Sequence, residues 1–144
     1  MVTIAKISKS EIAPLVAISY QDDRDLVEKY FPVKQTEAET VQETISMIDD
    51  ASKMHKCKYF KIMYNKKPIG YFVIWEKFLY SFAINVNYRK KDILVAWWNE
   101  MKKVTGNFFE SMLYDVNTRA ISFLEKCGMV VSKRDKNLVM LIHI

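Results

Sequence analysis

Apolar positions along this chain recur with a period that switches between two and 3.6, and the switches mark its elements. VTIAKI (residues 2–7) alternates and predicts a strand ending at the polar cluster Ser8–Ser10. Ser10 and Glu11 then open a helix whose apolar residues Ile12, Leu15, Val16 and Ile18 fall at helical spacing. Pro14 is tolerated there because it sits in the first turn. A second helix is predicted over Thr36–Met54, with Val41, Ile45, Ile48 and Ala51 on one stripe. Its early turns carry acids, which suit the positive end of the helix dipole.

From Lys58 the period becomes two. KYFKIMY, PIGYFVIWE and FLYSFAINV read as three consecutive strands, with the turn NKKP between the first two. A helix follows over Asp92–Thr105, with Ile93, Leu94, Trp97, Trp98, Met101 and Val104 on a broad apolar face and Gly106 as its stop. Of the adjacent Trp97 and Trp98, about 100° apart on a helix, one is expected in the core and the other half exposed. A strand at Phe108–Tyr114, a helix from Asn117 to Cys127 stopped by Gly128, and strands MVVSK and NLVMLIHI around the turn Arg134-Asp135-Lys136 complete the chain. The order β-α-α-β-β-β-α-β-α-β-β describes an α+β fold with a mixed, mostly antiparallel central sheet flanked by helices. It is not a doubly wound nucleotide fold.

Length and composition narrow this further. The 144 residues suit a single domain, and 50% hydrophobic content supplies a core. A net charge of +5 favours anionic partners such as phosphates or nucleic acid. No apolar run approaches the ~18 residues of a membrane span, and the first residues lack a signal-peptide core, so a cytoplasmic protein is expected. Cys57 and Cys127 stand apart and read as ordinary reduced thiols. His55 and His143 are isolated as well and read as a surface or sheet-edge histidine each, so no metal site is expected.

Two strings carry a resemblance. NTRAISFLEKCGM, residues 117–129, is similar to the N-x-x-A-x-x-F-Y-E-K-x-G-F helix of the GNAT superfamily of acyl-CoA-dependent N-acyltransferases. It matches at Asn117, Ala120, Phe123, Glu125, Lys126 and Gly128. INVNYRKKDIL, residues 84–94, resembles the strand, basic step and turn into a helix that precede it in that family. The element order extends the resemblance over essentially the whole chain. It implies acetyl-CoA or another acyl-CoA as co-substrate, no metal, and as acceptor a primary amine of a small molecule or a protein lysine, in a monomer or homodimer.

The residues suit such chemistry in part. Backbone N–H groups at a helix start bind a pyrophosphate, and Arg89, Lys90 and Lys91 precede Asp92, Ile93 and Leu94, where that start is predicted. The resemblance implies that Ile84 and Val86 pair their backbone with pantetheine and that Asn117 orients the arm; Asn117 is also a good N-cap. Two departures stand out. The family's turn, Q/R-x-x-G-x-G/A, keeps Arg89 here but has Asp92 and Leu94 in place of both glycines, and Asp92 is expected to cap the helix. The tyrosine that commonly protonates the departing thiolate is Leu124, which has no proton to give. A replacement acid would come from Tyr80, Tyr114 or Ser111, and a base from Glu110 or Glu76. Strand periodicity puts Tyr80 on a face with Phe82 and Ile84, and Glu110 on one with Met112 and Tyr114.

Other readings stay open. A GNAT-fold protein that has lost acyl transfer would act through a protein or RNA partner, and the lysines at 53, 56, 58, 61, 66 and 67 form a stripe that suits nucleic acid or an ordinary solvated face. The acceptor pocket is expected from the first two helices and residues 20–35 between them, where Asp22, Asp23 and Asp25 could attract a cationic amine.

Overall fold

The computed structural model describes residues 1–22, 37–106, 109–115 and 117–143. Asp23 and Asp25 therefore lie outside the described residues. The elements follow the expected order: β1 (Val2–Ile7), α1 (Ile12–Asp22), α2 (Glu37–Met54), β2 (Lys58–Tyr64), β3 (Lys67–Trp75), β4 (Phe78–Ile84), α3 (Lys91–Thr105), β5 (Phe109–Tyr114), α4 (Thr118–Lys126), β6 (Met129–Asp135) and β7 (Leu138–His143). Among the described residues the strands form one sheet in the order β1-β2-β3-β4-β5-β7-β6. Neighbours run antiparallel except β4 and β5, which are parallel.

Each face of the sheet has its own core, and strand alternation sorts the side chains between them. Phe60, Ile62, Phe72 and Ile74 face α3 and α4, where they pack with Trp97, Met101, Phe109 and Leu124. Tyr71 and Val73, one residue out of step, pack on the other face with Ile12, Leu15, Val16 and Ile48 of α1 and α2. A strand covered on both faces needs a continuous apolar run, and IGYFVI in β3 supplies it.

Local chemistry shifts several expected boundaries. The entry to α1 is held by Ser8 rather than Ser10: the Ser8 N–H donates to a Glu11 carboxylate oxygen at 2.8 Å, across a short 3₁₀ turn. Lys90, not Asp92, is the N-cap of α3; Asp92 lies inside the first turn and caps nothing. Trp97 and Trp98 are both buried, because α3 lies over the sheet while the Trp98 ring packs against Phe109, 5.0 Å between centroids, and edge-on to Phe123. Arg134 and Asp135 belong to β6, and the turn to β7 falls at Lys136–Asn137, with Lys136 at φ 53°.

Two departures bear on function. β4 ends at Ile84, and Val86 starts a 3₁₀ turn to Tyr88. The ladder between β3 and β4 also slips at Val73/Ile74: Ile74 pairs with Leu79 and Val73 with Ser81, so Tyr80 is the extra residue of a bulge. The bulge breaks the alternation. Tyr80 packs with the α1/α2 core, whereas Phe82 and Ile84 belong to the α3/α4 core, so the shared face expected from periodicity is not formed.

At Gly70, where β3 passes close to the β4 backbone, a side chain is excluded. A Cβ built on Gly70 would overlap the Ala83 carbonyl oxygen, a backbone atom that has nowhere to go. Gly70→Ala is expected to lower stability by about 1–3 kcal/mol, as overpacking does. The midpoint of a urea unfolding curve measures it, and an unchanged midpoint would contradict the close approach.

Candidate active site

The parallel ladder between β4 and β5 is very short. Phe78 pairs with Glu110 and Leu79 with Ser111, and there pairing stops. Ser111 is fully buried and donates its hydroxyl to the Leu79 carbonyl at 3.0 Å, which pins the apex of the split. Beyond it the strands diverge around a cleft of about 540 Å³. Ser111 is thus a structural tether and does not line the cleft.

Side chains from both cores line this cleft, so the opening passes through the sheet. On the α3/α4 face its walls are Phe82, Ile84, Leu94, Trp97, Ala120 and Phe123. On the α1/α2 face they include Met47, Ile48, Tyr71 and Tyr80. Along β5, Phe109 and Leu113 turn to the α3/α4 core, so Met112 and Tyr114 face the opposite way. The split therefore forms one cavity that reaches both faces of the sheet.

The edge of β4 along the split is a row of backbone groups without a partner strand. The Asn85 N–H bonds to Ile69 on the β3 side at 2.7 Å, so the alternating ladder turns the backbone of Ile84 and Phe82 toward the split. Arg89 folds over the end of this edge, its Nε donating to the Ile84 carbonyl at 2.7 Å. The edge that faces the cleft is thus Phe82 and Ile84, since Val86 lies past the strand's end; the bulge and the early strand end leave no mark in a period-two pattern, so the sequence does not single out Phe82.

Next to this edge is the start of α3. Lys90 has extended backbone dihedrals and no side-chain cap bond, and the first N–H with a helical partner is that of Leu94, bonded to Lys90 O at 2.9 Å. The N–H groups of Lys91, Asp92 and Ile93 thus belong to the set that a helix cannot satisfy itself. Lys90, Lys91 and Asp92 are exposed, whereas the Ile93 side chain is buried in the core and Leu94 reaches the cleft. Across the cleft Asn117 has both duties open to it in the sequence: it caps α4, accepting from the Ala120 N–H at 3.4 Å, and it lines the cleft.

Of the acid and base candidates, the structure brings Tyr80 and Tyr114 together in the cleft. Glu110 is half-buried on β5 with its N–H bonded to Lys77 O, and Glu76 occupies the β3–β4 turn with φ 50°; neither lines the cleft. Burial pushes the Tyr80 hydroxyl above the ordinary tyrosine value, and Cys57, Asp50 and Tyr114 add to the shift. Tyr80 therefore keeps its proton at neutral pH, and its hydroxyl donates to the Met47 carbonyl oxygen of α2 at 3.4 Å. Leu124 is fully buried in the α3/α4 core, while its neighbour Phe123 forms cleft wall. Burial also pushes the Cys127 thiol up to about 11, so it stays protonated at neutral pH.

Among the described residues no cluster of histidine, cysteine or carboxylate side chains is placed to hold a metal ion, and no helix is long and apolar enough to cross a membrane. His55 is exposed and stacks on Trp75, and His143 is buried against Phe109.

No protein-family model matches the sequence, and no curated protein matches it. Solved structures do. PaiA N-acetyltransferase from Thermoplasma acidophilum, in complex with coenzyme A, superposes with a TM-score of 0.71 at 14% identity, covering 99% of this chain and 98% of that one. The aminoglycoside acetyltransferase AAC(6')-Ib, also with coenzyme A, gives 0.69 at 13% identity over 99% of this chain and 94% of that one. An acetyltransferase from Salmonella typhimurium that modifies the N-terminal serine of ribosomal protein L7/L12 gives 0.65 at 10% identity, with 99% and 94% covered.

The raised Tyr80 value has a thermodynamic consequence. The folded chain binds that proton more tightly than the unfolded chain, so the contribution is present below the unfolded tyrosine value near 10 and is lost as pH rises through the folded one. Urea midpoints between pH 8 and 11 are expected to fall less in Tyr80→Phe than in the parent. Equal declines would contradict the shift at this half-buried side chain.

Proposed function

We propose that this chain, which has the fold of the GNAT acetyltransferases, is an N-acyltransferase that moves an acetyl or other acyl group from acyl-CoA to a primary amine. The observation that carries this is the split between β4 and β5, which opens a strand edge and a single cleft lined from both faces of the sheet. The coenzyme A complexes of two similarly folded proteins support the donor, and the aminoglycoside acceptor of one of them and the N-terminal serine acceptor of a third similarly folded protein support an amine as the other substrate.

In this reading the acyl-pantetheine arm lies along β4, with Phe82 and Ile84 offering backbone groups as an added strand would require. Val86, implied by the family resemblance, contributes from the turn beyond the strand's end. The pyrophosphate lies at the start of α3, held by the N–H groups of Lys91, Asp92 and Ile93, with Lys90, Lys91 and Arg89 supplying positive charge. Leu94 shapes that wall, and Asn117 orients the arm from the opposite side. Asp92 works against this site. Its carboxylate repels a phosphate, and the charges of Arg89, Lys90 and Lys91 offset it.

The amine arrives from the α1/α2 face. Its nitrogen lone pair attacks the thioester carbonyl, a C–N bond forms, and the C–S bond breaks. The thiolate takes the Tyr80 hydroxyl proton, and the nitrogen's proton leaves to water, from which the phenolate is reprotonated. Tyr114 is the second donor within the same cleft. Much of the acceleration comes from holding the two reactants in line on either side of one opening.

Calorimetry of acetyl-CoA with the purified chain tests the donor site. Micromolar affinity is expected, weaker for dephospho-CoA and at least tenfold weaker in a Lys90→Glu/Lys91→Glu variant. Tyr80→Phe should leave that affinity unchanged while slowing thiol release with an amine by about 10²-fold. An absence of acetyl-CoA binding would overturn the enzyme reading and leave a GNAT-fold protein that acts through a protein or RNA partner.

A further inference from the structure

The pocket on the α1/α2 side of the split has a composition that selects among amines. Its walls include two thioethers, Met47 of α2 and Met112 of β5, and four rings, Tyr71 of β3, Phe78 and Tyr80 of β4 and Tyr114 of β5; Thr44 and Ser81 also line it. The charged side chains that line the cleft among the described residues are Arg89 and Arg119, both positive. Arg89 sits at the α3 end, and Arg119 lies in the first turn of α4.

The ring wall is held from behind. Trp75 stacks on Phe78 with centroids 5.0 Å apart and planes 16° from parallel. It also contacts Tyr80 at 4.6 Å, and the exposed His55 ring lies flat against it at 4.4 Å and 2°. Rings fixed in this way present their faces with little entropy left to lose when a flat ligand lands on them. Sulfur atoms beside rings add polarizable contact of the kind that takes irregular apolar ligands.

We infer that the acceptor is a monoamine carried on a flat apolar body, of the arylalkylamine class, and not a polyamine or a lysine side chain; this rests on the acyl-transfer reading of the same cleft. A polycation entering this pocket would exchange water for thioether and ring, and among the described residues no carboxylate lines the cleft to take its second charge. An arylalkylamine buries its ring against Phe78, Tyr80 and Tyr114 and keeps a single nitrogen to present at the split. Desolvation among those rings also lowers the ammonium pKa, which favours the neutral amine that attack requires.

Binding of 2-phenylethylamine, 1,4-diaminobutane and Nα-acetyl-lysine amide to the full chain, each with and without saturating CoA, tests the assignment by calorimetry. Phenylethylamine is expected to bind at least tenfold tighter than either of the others. Phe78→Ala should weaken it about tenfold. Met47→Asp, at a half-exposed helix position that tolerates polarity, should close the gap between phenylethylamine and diaminobutane. Equal or tighter binding of the diamine or the lysine amide overturns the proposal, as does binding of none of the three, or a Met47→Asp variant with an unchanged gap. CoA binding in the same titrations keeps the two readings apart. Amine selectivity without CoA binding would sink acyl transfer alone, and CoA binding without selectivity would sink the acceptor class alone.

Discussion

Two residue couples of parallel pairing, and no more, join β4 to β5, and the rest of the molecule is arranged around that interruption. A sheet that stops pairing in its middle exposes backbone donors and acceptors that would otherwise be satisfied. Here the opening is contained at both ends. The Ser111 hydroxyl ties the apex to the Leu79 carbonyl, and the Arg89 side chain covers the Ile84 carbonyl where β4 ends. Between those two points the edge is available to an incoming chain of amides.

The bulge at Tyr80 and the apolar packing on each face make the opening sustainable. By inserting one residue, the bulge moves Tyr80 to the α1/α2 side and leaves Leu79 and Phe82 both facing α3 and α4. Trp97 then stands over the split, its ring near those of Phe72, Phe82 and Phe123 at 6.0, 5.4 and 5.9 Å, so that α3 and α4 bridge two halves of a sheet that hardly touch. Removing such a fully buried indole would cost on the order of 3–5 kcal/mol. The same ring is cleft wall, which makes the core and the site one structure.

How far the sequence discloses this follows from which features have a period. The element order, the α+β class and nearly every strand are visible because the two cores impose alternation on strands and a stripe on helices. Asn117 as cap and the tight turn at Gly128 are visible because local backbone chemistry selects those residues. What escapes is tertiary. The bulge at Tyr80 depends on its register against Val73 and Ile74, and the burial of Trp98 depends on Phe109 reaching it from another strand. Asp92 looks like a helix cap in isolation, yet α3 starts earlier, at Lys91, with Lys90 in the cap position. Phe82 carries no signal beyond an apolar residue in a strand, and only the unpaired edge gives it a distinct place.

In the proposed reaction the unpaired edge of β4 receives the acyl donor as an added strand. Amide hydrogen exchange across β4, with and without acetyl-CoA, reads that edge directly. The exchange of Phe82 and Ile84 is expected to slow when acetyl-CoA is added, with the outer strands β1 and β6 unchanged. Protection confined to another surface, or none along β4 when acetyl-CoA is bound, would contradict it.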